Sequence, residues 1–101
     1  MERALLGDLL SLNFEGHRIR VHIDAEGKPW WIAKDVCEVL NIANVSKAVS
    51  RLKEGEKRRL TFIHGTKLLI IDKAGLYRLL FRSNKPEAEK LKDWLFEKVV
   101  R

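Results

Sequence analysis

The sequence predicts an α+β domain in which a small antiparallel sheet with hairpins packs against about four to five short helices. Ile19, Val21 and Ile23 alternate with polar residues, as in a half-buried strand. In VSKAVSRL, residues 45–52, apolar side chains recur at i, i+3, i+4 and i+7, which indicates an amphipathic helix. Two β-rich runs flank Gly65 and predict a hairpin.

The N-terminal part of the chain is predicted to form an extension followed by the first strands. Leucines at helical spacing predict a short amphipathic helix within residues 1–12, which we treat as an extension of the domain proper, residues 13–101. A second short strand, KPWWI, places Trp30 and Trp31 on opposite faces, so we expect one in the core and the other exposed to a partner. The leucines of the predicted helix are Leu5, Leu6, Leu9 and Leu10.

Two short helices in the middle of the chain resemble a helix-turn-helix. AKDVCEVL, residues 33–40, carries its apolar side chains on one helical face, and the helix over residues 45–52 follows after a short break. Asn44 directly precedes the second helix and is its predicted N-cap.

Two further helices are predicted at the C-terminal end. Asp72 can cap a helix over residues 73–82. Ser83 and Asn84 are cap candidates for the last helix, and Pro86 suits its first turn. The apolar stripe of this last helix consists of Leu91, Trp94, Leu95 and Val99.

The formal net charge of this 101-residue chain is +6, and the excess lies in the second half. Residues 1–50 hold six Lys or Arg against seven Asp or Glu, a balance of −1, whereas residues 51–101 hold fourteen against seven, a balance of +7. This asymmetry favours an acidic partner, with nucleic acid first and a membrane surface second. Cys37 is the only cysteine, which excludes an intrachain disulfide and fits a reducing, intracellular setting.

The second predicted helix offers basic residues for DNA. Opposite its apolar stripe lie Ser46, Lys47, Ser50 and Arg51, whose serines permit close approach while the cations add charge. Such a helix could enter a major groove, with the following hairpin as a wing; the alternative is a solvated helix face and a charged loop. The other candidate contacts are Lys53, Lys57, Arg58, Arg59 and Lys67, together with Arg82 and Lys85 beside the last break.

The residue types of the chain do not suggest an enzyme. His17 and His22 differ in strand parity, so they should face opposite sides, and His64 is distant in sequence. A single cysteine gives no zinc-ligand spacing, and Cys37 within an apolar helix is typical of a small buried hydrophobe. No glycine-rich phosphate loop is present in the sequence. We therefore expect no catalysis, no metal and no cofactor.

Two motifs in order resemble the N-terminal domain of the BRO family (Bro-N), which occurs in phage antirepressor-type and large-virus proteins. PWWIAKDVCEVL, residues 29–40, resembles the family segment pWF-akDV--vL, and residues 75–94 resemble GLY-L--rS-kpeA--fk-W. The resemblance covers roughly residues 13–100. Within the second motif we expect Gly75 to permit close approach of its helix and Trp94 to pack in the core.

The resemblance implies DNA binding within a transcription-regulating protein. We therefore predict a non-catalytic double-stranded DNA-binding domain of a phage or prophage-type regulator, working in the cytoplasm of a bacterial or phage-infected cell and not on a membrane. The alternative is an antirepressor-type module that binds another regulatory protein without contacting DNA, with an exposed tryptophan and the leucine-rich start as anchors. Those leucines could also support a homodimer on paired half-sites.

Overall fold

A computed structural model describes residues 9–61, 65–83 and 86–95, and it confirms the predicted α+β class. The strands are β1 (Leu9–Phe14), β2 (His17–Ile23), β3 (Pro29–Ile32), β4 (Lys57–Thr61) and β5 (Lys67–Ile71). The α-helices in these ranges are α1 (Ala33–Val39), α2 (Val45–Ser50), α3 (Lys73–Arg82) and α4 (Pro86–Leu95), and a 3₁₀ turn spans Glu54–Glu56. The strands form one antiparallel sheet in the order β1-β2-β3-β5-β4. Within the same ranges, no helix is both long and apolar enough to cross a bilayer.

The sheet has two faces, and the helices pack against one of them, which we call the helix face. Trp31 of β3 lies opposite Ile71 of β5, and both join the main core together with Leu76 of α3. Because successive strand residues alternate in direction, Trp30 and Ile70 point the other way and belong to a smaller cluster on the opposite face. The core is therefore divided by the sheet into a large and a small part.

Trp30 and Trp31 point to opposite faces as predicted, but the expectation that one of them is exposed is wrong. Their exposed fractions are 1% and 0%. The Trp30 Nε1 donates to Asp24 Oδ2 at 3.0 Å, and Lys28 Nζ and the Arg58 guanidinium lie 4.6 and 4.4 Å from the centre of its ring. Neither tryptophan is available as a surface anchor.

Strand β1 occupies part of the stretch that was predicted to be helical. Leu9 and Leu10 lie opposite His22 and Val21 of β2, so their helical spacing does not describe this part of the chain. Backbone pairing with a neighbouring strand outweighs a local periodicity of so few residues. Residues 1–8 lie outside the described residues, and the proposed domain boundary stays a prediction.

Helices α1 and α2 lie where the sequence predicts them, but α2 is short. The Asn44 Oδ1 accepts a hydrogen bond from the Lys47 backbone N–H at 3.0 Å, which confirms the N-cap. The helix contains six residues, fewer than two turns at about 3.6 residues per turn. Both helices are present, but their pairing as a helix-turn-helix is not confirmed and stays a prediction.

Helix α3 begins and ends as predicted, and it approaches the preceding chain closely at Gly75. The Asp72 Oδ1 accepts from the Gly75 backbone N–H at 2.9 Å, which caps the helix, and Arg82 is the last helical residue. A Cβ atom at Gly75 would lie 2.9 Å from the carbonyl oxygen of Glu56 and 3.1 Å from the Leu52 Cδ1. The predicted close approach is confirmed, because only glycine fits this contact without movement.

Helix α4 covers the end of the core near the β1–β2 turn. It begins at Pro86, which has no N–H to leave unpaired in a first helical turn. The Trp94 ring centre lies 5.2 Å from that of Phe14, and Leu91 is fully buried, as their places in the apolar stripe predict. Asn84 lies outside the described residues, so its role as a cap stays a prediction.

Gly75→Ala should destabilise the domain although it replaces glycine inside a helix. Alanine normally improves an exposed helix position by about 1 kcal/mol, but here its methyl group meets a backbone carbonyl at 2.9 Å. Overpacking of this kind costs about 1–3 kcal/mol, so thermal unfolding should shift to lower temperature. The matched control is Gly55→Ala, whose Cβ meets no atom within 4 Å. A melting temperature raised by Gly75→Ala would contradict the close packing.

Candidate nucleic-acid interface

A cleft of about 510 Å³ lies between α2 and the C-terminal end of α3, and we call it the basic cleft. Among the described residues that line it, three side chains are cationic: Lys47, Arg51 and Arg82. None of its lining residues in the described structure is an aspartate or a glutamate. The lining residues within the described ranges are Leu40, Ile42, Asn44, Lys47, Ala48, Arg51, Leu79, Arg82 and Ser83.

Helix α2 positions the first two cations by burying its opposite side. Val49 is 2% exposed and packs in the main core, whereas Ser46, Lys47 and Ser50 are exposed on the outer side. The Ser50 Oγ donates to the Lys47 carbonyl at 2.7 Å, so this hydroxyl is engaged with its own helix. The outer side of α2 therefore offers mainly Lys47 and, at its C-cap, Arg51.

Arg82 reaches the same cleft from a distant part of the sequence. Leu79 and Leu80 of α3 are both 3% exposed, which fixes this end of the helix against the core and leaves Arg82 at the surface. Lys47, Arg51 and Arg82 form no ion pair with a carboxylate of the described residues. Their charges are therefore not neutralised by neighbouring acids in this part of the chain.

Lys57 extends the positive charge from the cleft toward β4. Its Nζ donates to the Ser50 carbonyl at 3.3 Å, at the C-terminal end of α2, where a cation is favourable. The same Nζ lies 4.0 Å from Glu54 Oε2, so one acid partly offsets it. Lys53 is exposed nearby, and its backbone N–H donates to the Glu56 carboxylate at 3.1 Å.

Arg58 and Arg59 lie on opposite faces of the edge strand β4. Arg58 stacks on Trp30, on the face away from the helices, whereas Arg59 lies opposite Leu69 on the helix face. Strand alternation thus separates Arg58 from the cations that the sequence grouped with it. Lys67 is exposed and, by the pairing register, shares the helix face with Arg59. Lys85 and the hairpin residues 62–64 lie outside the described residues.

The position of Arg82 relative to α2 depends on a set of contacts around Glu56, which we call the Glu56 junction. The Glu56 Oε1 and Oε2 accept from the Arg78 Nε at 2.9 and 2.8 Å, and Glu56 is only 7% exposed. Its carbonyl oxygen accepts from the Asp72 backbone N–H at 3.0 Å. These contacts, with the packing of Gly75 on the same carbonyl, join α3 to the segment that follows α2. The hydrogen bond from Arg78 is the main cause that lowers the pKa of Glu56 below its ordinary value.

The groups considered for catalysis are not brought together. Cys37 is 1% exposed, and burial raises the pKa of its thiol to about 11, which confirms its place as a buried apolar side chain. His22 is 6% exposed and His17 is exposed, and their strand parity places them on different faces of β2. Across the residues that the structure describes, no group of His, Cys, Asp and Glu could hold a metal ion.

The sequence indicates Lys47, Arg51 and Arg82 as candidate contacts, but it does not indicate that they lie together. The sequence places Lys47 and Arg51 on one predicted helix and Arg82 beside the predicted break after α3. The three cations lie together because of how α3 packs. Gly75 and its motif are the sequence feature that indicates this packing. The sequence also does not reveal the burial of His22, which lies between its cross-strand neighbours Leu9 and Trp30.

Comparison with known proteins identifies the family. The profile of the BRO family N-terminal domain, Bro-N, matches residues 18–101. A Haemophilus influenzae protein named only "Uncharacterized protein" is 34% identical, over 89% of this chain and 47% of that protein. No solved structure matches.

The chain therefore belongs to the BRO family and carries its N-terminal domain, as the two sequence motifs indicated. This domain family is regulatory and not enzymatic. The chain spans about half the length of the Haemophilus relative.

Glu56→Gln should lower the melting temperature at neutral pH, and the difference from the unchanged protein should shrink in acid. Because the folded pKa of Glu56 lies below its ordinary value of 4.5, the ionised carboxylate stabilises the fold above that value. This contribution is lost as the pH falls through the folded pKa. Glu54→Gln is the control, since that side chain is 96% exposed and should have little effect. A Glu56→Gln difference that is constant with pH would contradict the ion pair.

Proposed function

We propose that this domain binds double-stranded DNA without catalysis, chiefly through phosphate contacts at the basic cleft. The observation that carries the proposal is the convergence of Lys47, Arg51 and Arg82 from two helices, with no acidic residue in the cleft lining that the structure describes. Cations that face solvent without acidic partners attract a polyanion and gain from release of its counterions. The net charge of +6 acts in the same direction.

The proposed contact surface continues from the cleft along the helix face of the hairpin. Lys57 is joined to the C-terminal end of α2, and Arg59 follows two residues later on the same side of β4. Lys53 and Lys67 are exposed and add charge at the two ends of this strand pair. Arg58 is left out of the proposal, because it stacks on Trp30 on the other face.

The shortness of α2 favours phosphate contacts over extensive base recognition. A helix of six residues presents few side chains to base edges, and the hydroxyl of Ser50 is already bonded to the helix backbone. Ser46 is the small exposed residue that would let the DNA backbone come near. We therefore expect a steep dependence of affinity on salt and a modest preference for sequence.

Within the BRO family we propose that this DNA binding serves a phage or prophage-type transcriptional regulator, acting in the cytoplasm of a bacterial or phage-infected cell. The same proposal gives the whole protein a role in regulating transcription. It also includes a homodimer that binds paired half-sites. A module that binds only another regulator has less support, because its expected tryptophan anchor is buried. Its other expected anchor is the leucine-rich start, of which Leu5 and Leu6 lie outside the described residues while Leu9 and Leu10 lie in β1.

Arg51→Ala and Arg82→Ala should each weaken DNA binding and reduce its salt dependence. Each substitution removes one cation from the basic cleft, so the slope of log affinity against log salt should fall in magnitude by about 0.9 per lost phosphate contact. The measurement is fluorescence anisotropy with random and host-derived duplexes at several salt concentrations.

Arg18→Ala is the matched control for these two substitutions. Arg18 is also an exposed arginine, but its strand register places it on the sheet face opposite the helices. All three substitutions change the net charge by the same amount. Because Arg18 lies away from the cleft, we expect the smaller slope of log affinity against log salt only in the two cleft variants. Equal losses in all three variants would mean that overall charge, and not the cleft, governs binding. Unchanged binding in both cleft variants would refute the assignment.

A further inference from the structure

The basic cleft has an aliphatic floor that phosphate binding does not use. Ile42 and Ala48 are half-buried and supply the accessible surface of this floor, and Leu40 and Leu79 lie almost fully buried beneath it. A DNA backbone is a convex, hydrated chain of charges that gains little from contact with aliphatic groups. The floor is therefore complementary to a ligand that carries an apolar group as well as negative charge.

The cleft is also large enough to hold an inserted side chain. Its volume of about 510 Å³ lies in the range of small-ligand pockets, roughly 300–1,000 Å³, so there is room for an anchoring side chain and its neighbours. A binding interface can be built around an aromatic or aliphatic anchor that fills such a pocket, surrounded by a polar rim. Here the rim is formed by the ends of two helices and is positively charged.

We propose that the basic cleft docks a short acidic peptide segment of a protein partner. An aliphatic side chain of the peptide would rest on Ile42 and Ala48, and flanking Asp or Glu residues would pair with Arg51, Arg82 and Lys47. Two of these three cations are arginines, whose planar guanidinium groups bind carboxylates through two parallel hydrogen bonds. This inference rests on the proposed function, since it gives the DNA-binding cations a second anionic ligand. Peptide and DNA then exclude one another.

The lining of the cleft favours a peptide over an unpaired nucleotide. Proteins that hold unstacked bases usually place them on aromatic side chains. Among the lining residues that the structure describes, the apolar ones are Leu, Ile and Ala, and none is aromatic. Aliphatic groups of this kind pack well against a leucine or isoleucine side chain.

The test uses two labelled synthetic peptides of equal charge, one with a leucine between Asp and Glu residues and one with glycine in its place. The leucine peptide should bind the protein at least about tenfold more tightly, since it buries a side chain on the aliphatic floor. It should also displace a labelled duplex. Equal binding of the two peptides, or no binding to a protein that still binds duplex, would overturn the proposal.

Ala48→Leu and Ile42→Ser separate the peptide site from the DNA site, because both leave every cation in place. Each should reduce the advantage of the leucine peptide while duplex binding stays intact, with thermal unfolding used to confirm that the variants fold. Two variants are used so that a folding failure in one leaves the other to decide. If they weaken binding of a single-stranded oligonucleotide and not of the peptide, the ligand is a nucleotide and the proposal is overturned. Peptide binding by a protein that never binds duplex would support the docking site and refute the proposed function.

Discussion

The Glu56 junction is the constraint on which the arrangement of the surface depends. The Glu56 carbonyl oxygen accepts a hydrogen bond from the Asp72 backbone N–H, just before α3. The Glu56 carboxylate accepts hydrogen bonds from Arg78 of that helix and from the Lys53 backbone N–H. Gly75 brings the helix against the same carbonyl. Because α2 and β4 lie on either side of Glu56 in sequence, one set of contacts sets where α3 ends relative to both. The cations of the basic cleft meet for this reason.

Strand alternation decides the rest of the charge distribution. On β4, Arg58 and Arg59 are consecutive in sequence but point to opposite faces of the sheet, so their charges lie on two separate surfaces. Arg58 covers Trp30 together with Lys28, and this contact shields an aromatic ring on the face away from the helices. Its role is therefore tied to the smaller apolar cluster, while Arg59 stays available on the helix face.

Local signals in the sequence predicted most of the fold. Asn44 and Asp72 cap the helices that follow them, and Gly65, at a φ of +91°, lies in the predicted turn between β4 and β5, because each of these features depends on a few adjacent residues. The failures involve partners distant in sequence. Leu9 and Leu10 have helical spacing but pair with β2, and the buried His22 lies between its cross-strand neighbours Leu9 and Trp30. The basic cleft also depends on residues that are distant in sequence, because the residues around Arg82 do not reveal that α2 lies beside it.

The most direct test of the central claim, that DNA meets the domain at the basic cleft, is an NMR titration of the isotope-labelled protein with duplex at low salt. Backbone amide signals of residues 45–52 and 79–83 should shift together at the same DNA concentrations. Signals from the β1–β2 turn, around residues 13–18, should stay in place. Shifts confined to the face around Trp30 and Arg58, with α2 and the end of α3 unaffected, would contradict the account.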